Sequence, residues 1–256
     1  MTMSNDGRVV LITGAADGIG RGIATRFAQA GCRLVLLDVN EAKLERTAAD
    51  LPTDEVLKVT CDVRKADQVQ QAVDQTIDRF GRLDVAVSNA GVYPNTAVVD
   101  MEPEEWDLVI ETNLTGSFLV SRAAARQMLR QGGGGKLCLI ASGAYQSARL
   151  GASHYCASKA GLVMFARTLA LELAEDRINV NVVSPGLIAV GSRPAVSERY
   201  KQELLKTIPW GRAGTPEEIG HAVYFVCSPE AEYLTGSVVS VDGGSSAGRY
   251  HLPRSD

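Results

Sequence analysis

No stretch of this 256-residue chain approaches the roughly 20 consecutive apolar residues that a bilayer-crossing helix requires; apolar runs such as Val9 to Ile12 and Leu34 to Leu37 fall far short. A basic-then-apolar leader is missing from Met1 to Gly7, so no secretory signal is expected and the cytoplasm is the expected address. Basic runs are absent too. With 26 Lys and Arg against 30 Asp and Glu the formal net charge is −4, which speaks against nucleic acid as a partner. The five cysteines, Cys32, Cys61, Cys138, Cys156 and Cys227, are odd in number and contain no C-x-x-C pair, so neither a disulfide framework nor a zinc site is indicated and reduced thiols are expected. His154, His221 and His251 stand tens of residues apart without metal-binding helix spacing, and no metal is expected. Hydrophobic residues at 45% and charged residues at 22% exclude disordered and collagen-like chains.

What the chain does have is alternation. Short apolar runs rich in β-branched residues predict seven strands: Arg8–Thr13, Arg33–Asp38, Glu55–Thr60, Leu83–Asn89, Lys136–Ser142, Ile178–Ser184 and Ser237–Val241. Several are continuously apolar, as a parallel strand covered on both faces must be. Between them, amphipathic stretches predict helices at Ile19–Ala30, Glu41–Asp50, Ala66–Phe80, Glu104–Arg130, Ser153–Glu175, Ser197–Lys206 and Pro216–Cys227. The expected fold is therefore α/β: a single-domain, Rossmann-like, doubly wound parallel seven-stranded sheet with helices on both faces. Gly132 to Gly135 is the one low-complexity patch and reads as a helix stop and turn.

Directly after the first strand stands Thr13-Gly14-Ala15-Ala16-Asp17-Gly18-Ile19-Gly20, with a helix pattern opening at Ile19. Such glycines permit a sharp turn and let N–H groups approach a pyrophosphate, while a helix N-terminus adds about half a positive charge. The spacing is G-x-x-x-G-x-G rather than G-x-G-x-x-G, and a purely structural turn would use the same glycines. Asp38 ends the second strand, where a carboxylate can accept from an adenosine ribose; the alternative is that Asp38 or Asn40 caps the helix from Glu41. A carboxylate at the ribose would cost a 2′-phosphate about 1–3 kcal/mol after screening. Asp17 adds a second negative group and no arginine is placed to receive a phosphate, so NAD(H) is expected over NADP(H).

Farther along, Tyr155 and Lys159 stand at i and i+4 on one helical face, with Ser142 at the end of the fifth strand. Together with Gly14, Gly18 and Gly20, the Asn89-Ala90-Gly91 turn and Asn113, this set resembles the short-chain dehydrogenase/reductase family, compact type, over about Arg8 to Gly244. The resemblance implies Tyr155 as general acid/base, Ser142 orienting the substrate oxygen, Lys159 holding the nicotinamide ribose and lowering the phenol's proton affinity, and Asn113 anchoring a relay water. Cofactor contacts follow at Gly14, Asp17, Gly18, Ile19, Gly20, Asp38, the Asp62-Val63 adenine pair, Asn89, Gly91, Tyr155, Lys159, Pro185, Gly186 and Ile188. Where the family often carries a threonine two residues after Ile188, this chain has Val190, so that cofactor affinity is expected to rest more on main-chain contacts or on nearby Ser192 in the threonine's place.

The implied division is one dinucleotide-binding and catalytic domain over 1–256, with an N-terminal extension at 1–7, a substrate loop or lid at 190–212 and a tail at 245–256. Ser142, Ala144, Tyr145, Gln146, Arg149, His154 and Leu187 are expected around the substrate. Their polarity points to a small polyol, sugar or cyclic alcohol. An acyl-carrier 3-oxoacyl reductase is the alternative, although those enzymes usually prefer NADP(H) and a basic docking patch. A non-catalytic nucleotide-binding regulator would show a damaged catalytic set, and a serine hydrolase would show a G-x-S-x-G elbow; neither signature is present. The apolar faces of the two long helices, with Ala123 to Ala125 and the Phe165, Leu169, Leu173 stripe, resemble those that build the family's homotetramers. No membrane partner is expected.

Overall fold

A computed structural model of the chain describes residues 7–190 and 198–248. The expected Ser192, part of the substrate loop, the first six residues and the tail beyond residue 248 lie outside the described residues.

Seven parallel strands form one sheet in the order β3-β2-β1-β4-β5-β6-β7: β1 Val9–Thr13, β2 Arg33–Asp38, β3 Val56–Thr60, β4 Val85–Ser88, β5 Gly135–Ile140, β6 Ile178–Pro185 and β7 Val238–Val241. Strands β1 and β4 are buried along their whole length, and β2 along all but its ends, which explains their unbroken apolar runs. Side-chain alternation splits the core in two. Val9, Leu11 and Leu139 point into one apolar layer, whereas Val10, Ile12 and Ile140 point into the other.

The first layer is covered by α3 (Ala66–Phe80), α5 (Gly116–Gln131) and α6 (Ser153–Glu172); the second by α1 (Gly18–Gln29), α2 (Glu41–Ala49) and α8 (Pro216–Val226). The remaining helices are α4 (Pro103–Ile110) and α7 (Glu198–Lys206). Strand order reverses direction at β1, which pairs with β2 on one side and β4 on the other. In such a sheet the crevice beyond the carboxyl ends of these strands is where ligands bind.

Two expectations need correction. The helix expected from Glu104 to Arg130 is interrupted: between α4 and α5 the chain widens into a π turn, Glu111–Thr115. Inside that turn lies Asn113, whose buried amide grips both peptide groups of Val92. The stripe expected to face a neighbouring subunit, with packing within one subunit as the alternative, turns inward. Ala123, Ala124, Ala125 and Leu173 are buried in this chain's own core, and Phe165 and Leu169 pack against it; the outward apolar residues of the two helices include Phe118, Met164 and Leu171. Gly132, Gly133 and Gly134 do end α5 with positive φ, as expected. Among the described residues no helix is long and apolar enough to cross a membrane.

Candidate active site

The crevice begins where β1 stops. Thr13 Oγ1 accepts the N–H groups of Asn89 (2.9 Å) and Ala90 (3.0 Å), and Asn89 Nδ2 donates to the carbonyls of Thr13 (2.9 Å) and Gly14 (3.1 Å). These four bonds staple the loop after β1 to the loop after β4. Gly14 and Gly18 lie in the left-handed region at φ +63° and +51°. Gly20 is required for space instead, because a Cβ there would stand 2.0 Å from the Gly14 carbonyl oxygen. The result is a tight glycine turn opening directly into α1, with room for an anion's close approach.

Around this turn the carboxylates are already engaged. Asp17 caps α1, accepting the Gly18 N–H at 2.7 Å, and is bound by Lys43 Nζ at 2.9 Å, which holds its carboxyl below the usual range. Lys43 comes from α2, and its own proton affinity is raised mainly by Asp17, with a smaller contribution from Asp38. Asp17, expected as a second negative group beside Asp38, is thus paired with a cation. Asp38 accepts the N–H groups of Ala16 (3.1 Å) and Asn40 (2.9 Å), one on each oxygen, while Asn40 itself caps α2. Each Asp38 oxygen therefore retains acceptor capacity.

The two residues of the expected adenine pair, Asp62 and Val63, are both engaged within the protein. Arg64 chelates the Asp62 carboxylate, with Nη2 at 2.6 Å, and that hydrogen bond is the main cause of its lowered pKa. Val63 is buried in the core, its methyl 2.8 Å from where a Cβ on Gly116 would stand, leaving only its main chain for a ligand. Ile19 is half-buried beside the turn.

At the far end, Pro185 closes β6 and Gly186 has no room for a side chain against Asp242. Ile188 forms a parallel bridge with Gly214 through the Leu187 carbonyl and the Ala189 N–H, so its own peptide groups face the other way. Val190 stands over Gly18, where an added Cβ would meet one of its methyl groups at 3.2 Å. The residue that lacks the expected hydroxyl is partly buried against the second apolar layer.

The catalytic candidates converge between α6, β5 and the π turn. Lys159 is buried, with Nζ donating to the Ile140 carbonyl at 2.8 Å and standing 5.7 Å from the centre of the Tyr155 ring. Burial lowers its pKa to about 8. Ser142 begins a short 3-10 turn, Gly143–Tyr145, where its Oγ accepts the Ala144 N–H at 3.3 Å and keeps its own O–H to donate. Gly91 joins the two halves: a Cβ there would stand 3.1 Å from Asn113 Oδ1 and 3.7 Å from Lys159 Nζ. Asn113 is fully buried, and its amide is spent on Val92 and, at 3.3 Å, on Ser158 Oγ. The amide bonds run to protein groups, in a positioning arrangement.

Of the residues expected around substrate, Ala144, Tyr145 and Leu187 are half-buried, and Gln146 and Arg149 are exposed. The Arg149 guanidinium lies 5.7 Å over the Tyr155 ring. His154 does not belong there. It is fully buried, its Nε2 3.1 Å from Glu105 Oε1 and its Nδ1 accepting the Tyr155 N–H at 2.9 Å, so neither nitrogen is left for a substrate. Sequence reasoning missed Thr13, Lys43, Glu105 and Tyr93, whose half-exposed ring meets Tyr155 edge-on at 6.3 Å. Only Thr13 left a signal, as a hydroxyl ending an apolar run.

Residues 14–246 match the family profile described as Enoyl-(Acyl carrier protein) reductase. The chain is 36% identical to a 3-oxoacyl-[acyl-carrier-protein] reductase of Thermotoga maritima, over 94% of this chain and 99% of that one. It is 33% identical to the 2-dehydro-3-deoxy-D-gluconate 5-dehydrogenase of Escherichia coli, over 94% and 96%. Among solved structures, a short-chain type dehydrogenase/reductase from Mycobacterium marinum superposes with a TM-score of 0.88 at 36% identity, covering 96% of this chain and 98% of that one.

Proposed function

The chain belongs to the short-chain dehydrogenase/reductase family, and from that premise we propose that it is an oxidoreductase working between NAD(H) and a small secondary alcohol or ketone. The observation that carries the reading is the Tyr155 phenol beside the buried Lys159 amine, next to a glycine turn in which Gly20 leaves no room for even a methyl group.

The residues fit a dinucleotide. Gly14, Gly18, Ile19 and Gly20 would take its pyrophosphate, Asp38 its adenosine ribose, Tyr155 and Lys159 its nicotinamide ribose, and the main chain of Ile188, shaped by Pro185 and Gly186, its carboxamide. When bound, the nicotinamide supplies the acceptor or donor of hydride. Tyr155 moves the proton: as phenolate it removes the hydroxyl proton of an alcohol, and as phenol it donates to a nascent alkoxide. Lys159 makes this accessible, since a unit positive charge about 5–6 Å from a phenolate is worth about 3 kcal/mol at an effective dielectric of about 20. Ser142 donates its O–H to the substrate oxygen, and Asn113, through Val92 and Ser158, holds the frame.

Selectivity for NAD(H) rests on Asp38 alone, because Lys43 neutralises Asp17. Gln146 and Arg149 favour a hydroxylated substrate such as a polyol, sugar or cyclic alcohol. The names of the acyl-carrier relatives favour a second reading, a 3-oxoacyl thioester reductase. A panel of polyols, sugar acids, cyclic alcohols and a 3-oxoacyl thioester, assayed at 340 nm with each nicotinamide cofactor, decides between them. Tyr155→Phe is expected to lose at least about 100-fold in rate; near-normal turnover would reject the scheme. The exposed Phe118, Met164 and Leu171 on α5 and α6 support assembly as a homotetramer, which light scattering at micromolar concentration tests.

A further inference from the structure

Helix α6 begins without a side-chain cap. Its N-cap residue is Ala152, and the hydroxyl of Ser153, the first helical residue, is buried without a partner. The first N–H groups of a helix have no intrahelical acceptor, and one of them belongs to Tyr155, two residues inside the start. His154 supplies the acceptor. Its Nδ1 takes the Tyr155 N–H at 2.9 Å, so that nitrogen must carry a lone pair and the neutral ring's proton sits on Nε2, directed at Glu105 Oε1 3.1 Å away.

Glu105, from the first turn of α4, is the hub of this arrangement. Its other oxygen accepts the Thr96 hydroxyl at 3.0 Å, and the Thr96 N–H donates to the Gly151 carbonyl at 2.8 Å. The carboxylate therefore joins the loop after β4 to the first turn of α6, and the Thr96 main chain ties that loop to the one before α6. On the opposite side of Tyr155, its carbonyl accepts Ser158 Oγ at 2.8 Å, and Ser158 is bonded in turn to Asn113.

We infer that His154 and Glu105 are positioning residues for the reaction, acting through the Tyr155 main chain: His154 fixes the tyrosine N–H, and Glu105 fixes the imidazole's tautomer and orientation. The inference rests on the reading of Tyr155 as the acid/base. A misplacement of about 1 Å can cost about 10²-fold in rate without loss of binding, so the signature is a fall in kcat at constant KM.

The test compares full-length His154→Ala, His154→Gln, His154→Asn and Glu105→Ala with wild type, using kcat and KM on the best substrate of the panel, cofactor affinity by NADH fluorescence, and amide hydrogen exchange at Tyr155. Asparagine places an oxygen where Nδ1 lies; glutamine reaches towards Glu105 but offers nothing to the tyrosine N–H. Expected are a loss of about 10- to 100-fold in kcat for Ala and Gln with KM and NADH affinity unchanged, accelerated exchange at Tyr155 in both, and recovery of both readouts in Asn. Glu105→Ala should lose less on top of His154→Ala than alone, since the two act as one unit. If His154→Ala fails to fold, the Gln and Asn pair carries the comparison. Wild-type exchange and kcat in His154→Gln would overturn the inference. Silence of the wild type across the whole panel, with the exchange pattern as expected, would instead overturn the reading of Tyr155.

Discussion

The Lys159 ammonium donates at 2.8 Å to the main-chain carbonyl of Ile140, the last residue of β5, and the cause of its lowered pKa is burial, with no carboxylate among the described residues offsetting it. The sheet thus ends in a cation that is expensive to keep.

That cost has a pH signature. The amine titrates near 8 in the folded protein and near 10.5 when unfolded. Below about 8 both states hold the proton, and the folded state bears a penalty of about 3 kcal/mol. As pH rises from about 8 towards 10.5 the unfolded chain binds more protons than the folded one, so this residue's penalty fades. Lys159→Met should therefore be more stable than wild type in urea at pH 7, by up to about 3 kcal/mol less the lost hydrogen bond. By pH 10 the gain should be nearly gone. A difference that stays flat across this range would show that the lysine is not desolvated as described.

How much of this was readable from residues alone can be judged position by position. Gly14, Gly18, Tyr155 and Lys159 were legible because their chemistry is local: a left-handed turn and a one-turn spacing on a helix. The π turn at Asn113 was not, since an extra residue in a helix barely disturbs apolar spacing over 27 positions. His154 was misread for a related reason. Periodicity gives an angle around α6 but not the fact that Glu105, 49 residues earlier, packs onto it. The Lys43–Asp17 pair, spanning 26 residues, was likewise invisible.

The proposed preference for NAD(H) is tested at Asp38. Asp38→Asn keeps an acceptor for the Ala16 or Asn40 N–H but removes the charge. Relief of about 1–3 kcal/mol at a 2′-phosphate corresponds to a rise of about 5- to 150-fold in the NADP+/NAD+ ratio of kcat/KM. The same change at Asp17 should move the ratio less, because Lys43 already balances it. Equal responses at the two sites would contradict the assignment of selectivity to Asp38.

Two glycines of α1 separate binding from stability. In Gly20→Ala the new methyl would meet the Gly14 carbonyl oxygen at 2.0 Å, inside the turn itself; in Gly22→Ala it would meet the Pro216 main chain at 2.5 Å, where α8 crosses α1. Gly22→Ala is expected to lose about 1–3 kcal/mol by overpacking while the folded fraction binds NADH normally. Gly20→Ala should lose NADH binding as well. Calorimetry with NADH titration reads both quantities, and intact binding by Gly20→Ala would remove the glycine turn from the cofactor site.

Thr13 makes a parallel case for the staple between β1 and β4. Valine fills the same volume but strips the acceptor from the Asn89 and Ala90 N–H groups. Leaving such groups unsatisfied costs about 1–3 kcal/mol, and the loop they hold carries Gly91 against Lys159. Thr13→Val should therefore weaken both stability and NADH affinity, with Thr13→Ser retaining most of each. A stable Thr13→Val protein with normal affinity would mean that the staple is redundant.

Arg149 bears on what is oxidised or reduced. Its guanidinium lies over the Tyr155 ring from an exposed turn, and that turn is pinned by the Ala152 N–H to the Arg149 carbonyl at 3.2 Å. Among the described residues no carboxylate forms an ion pair with it. A substrate carboxylate near the reacting carbon would supply that partner, and a hydrogen bond to a charged group is worth about 1.5–3 kcal/mol. A sugar acid should then be preferred over the matching neutral polyol by about 10- to 100-fold in kcat/KM. Arg149→Gln should abolish that preference and leave the neutral substrate nearly unchanged, because the stacking over the phenol at an exposed site contributes only about 0.5–1 kcal/mol. Equal losses on both substrates would assign Arg149 to the tyrosine rather than to the substrate.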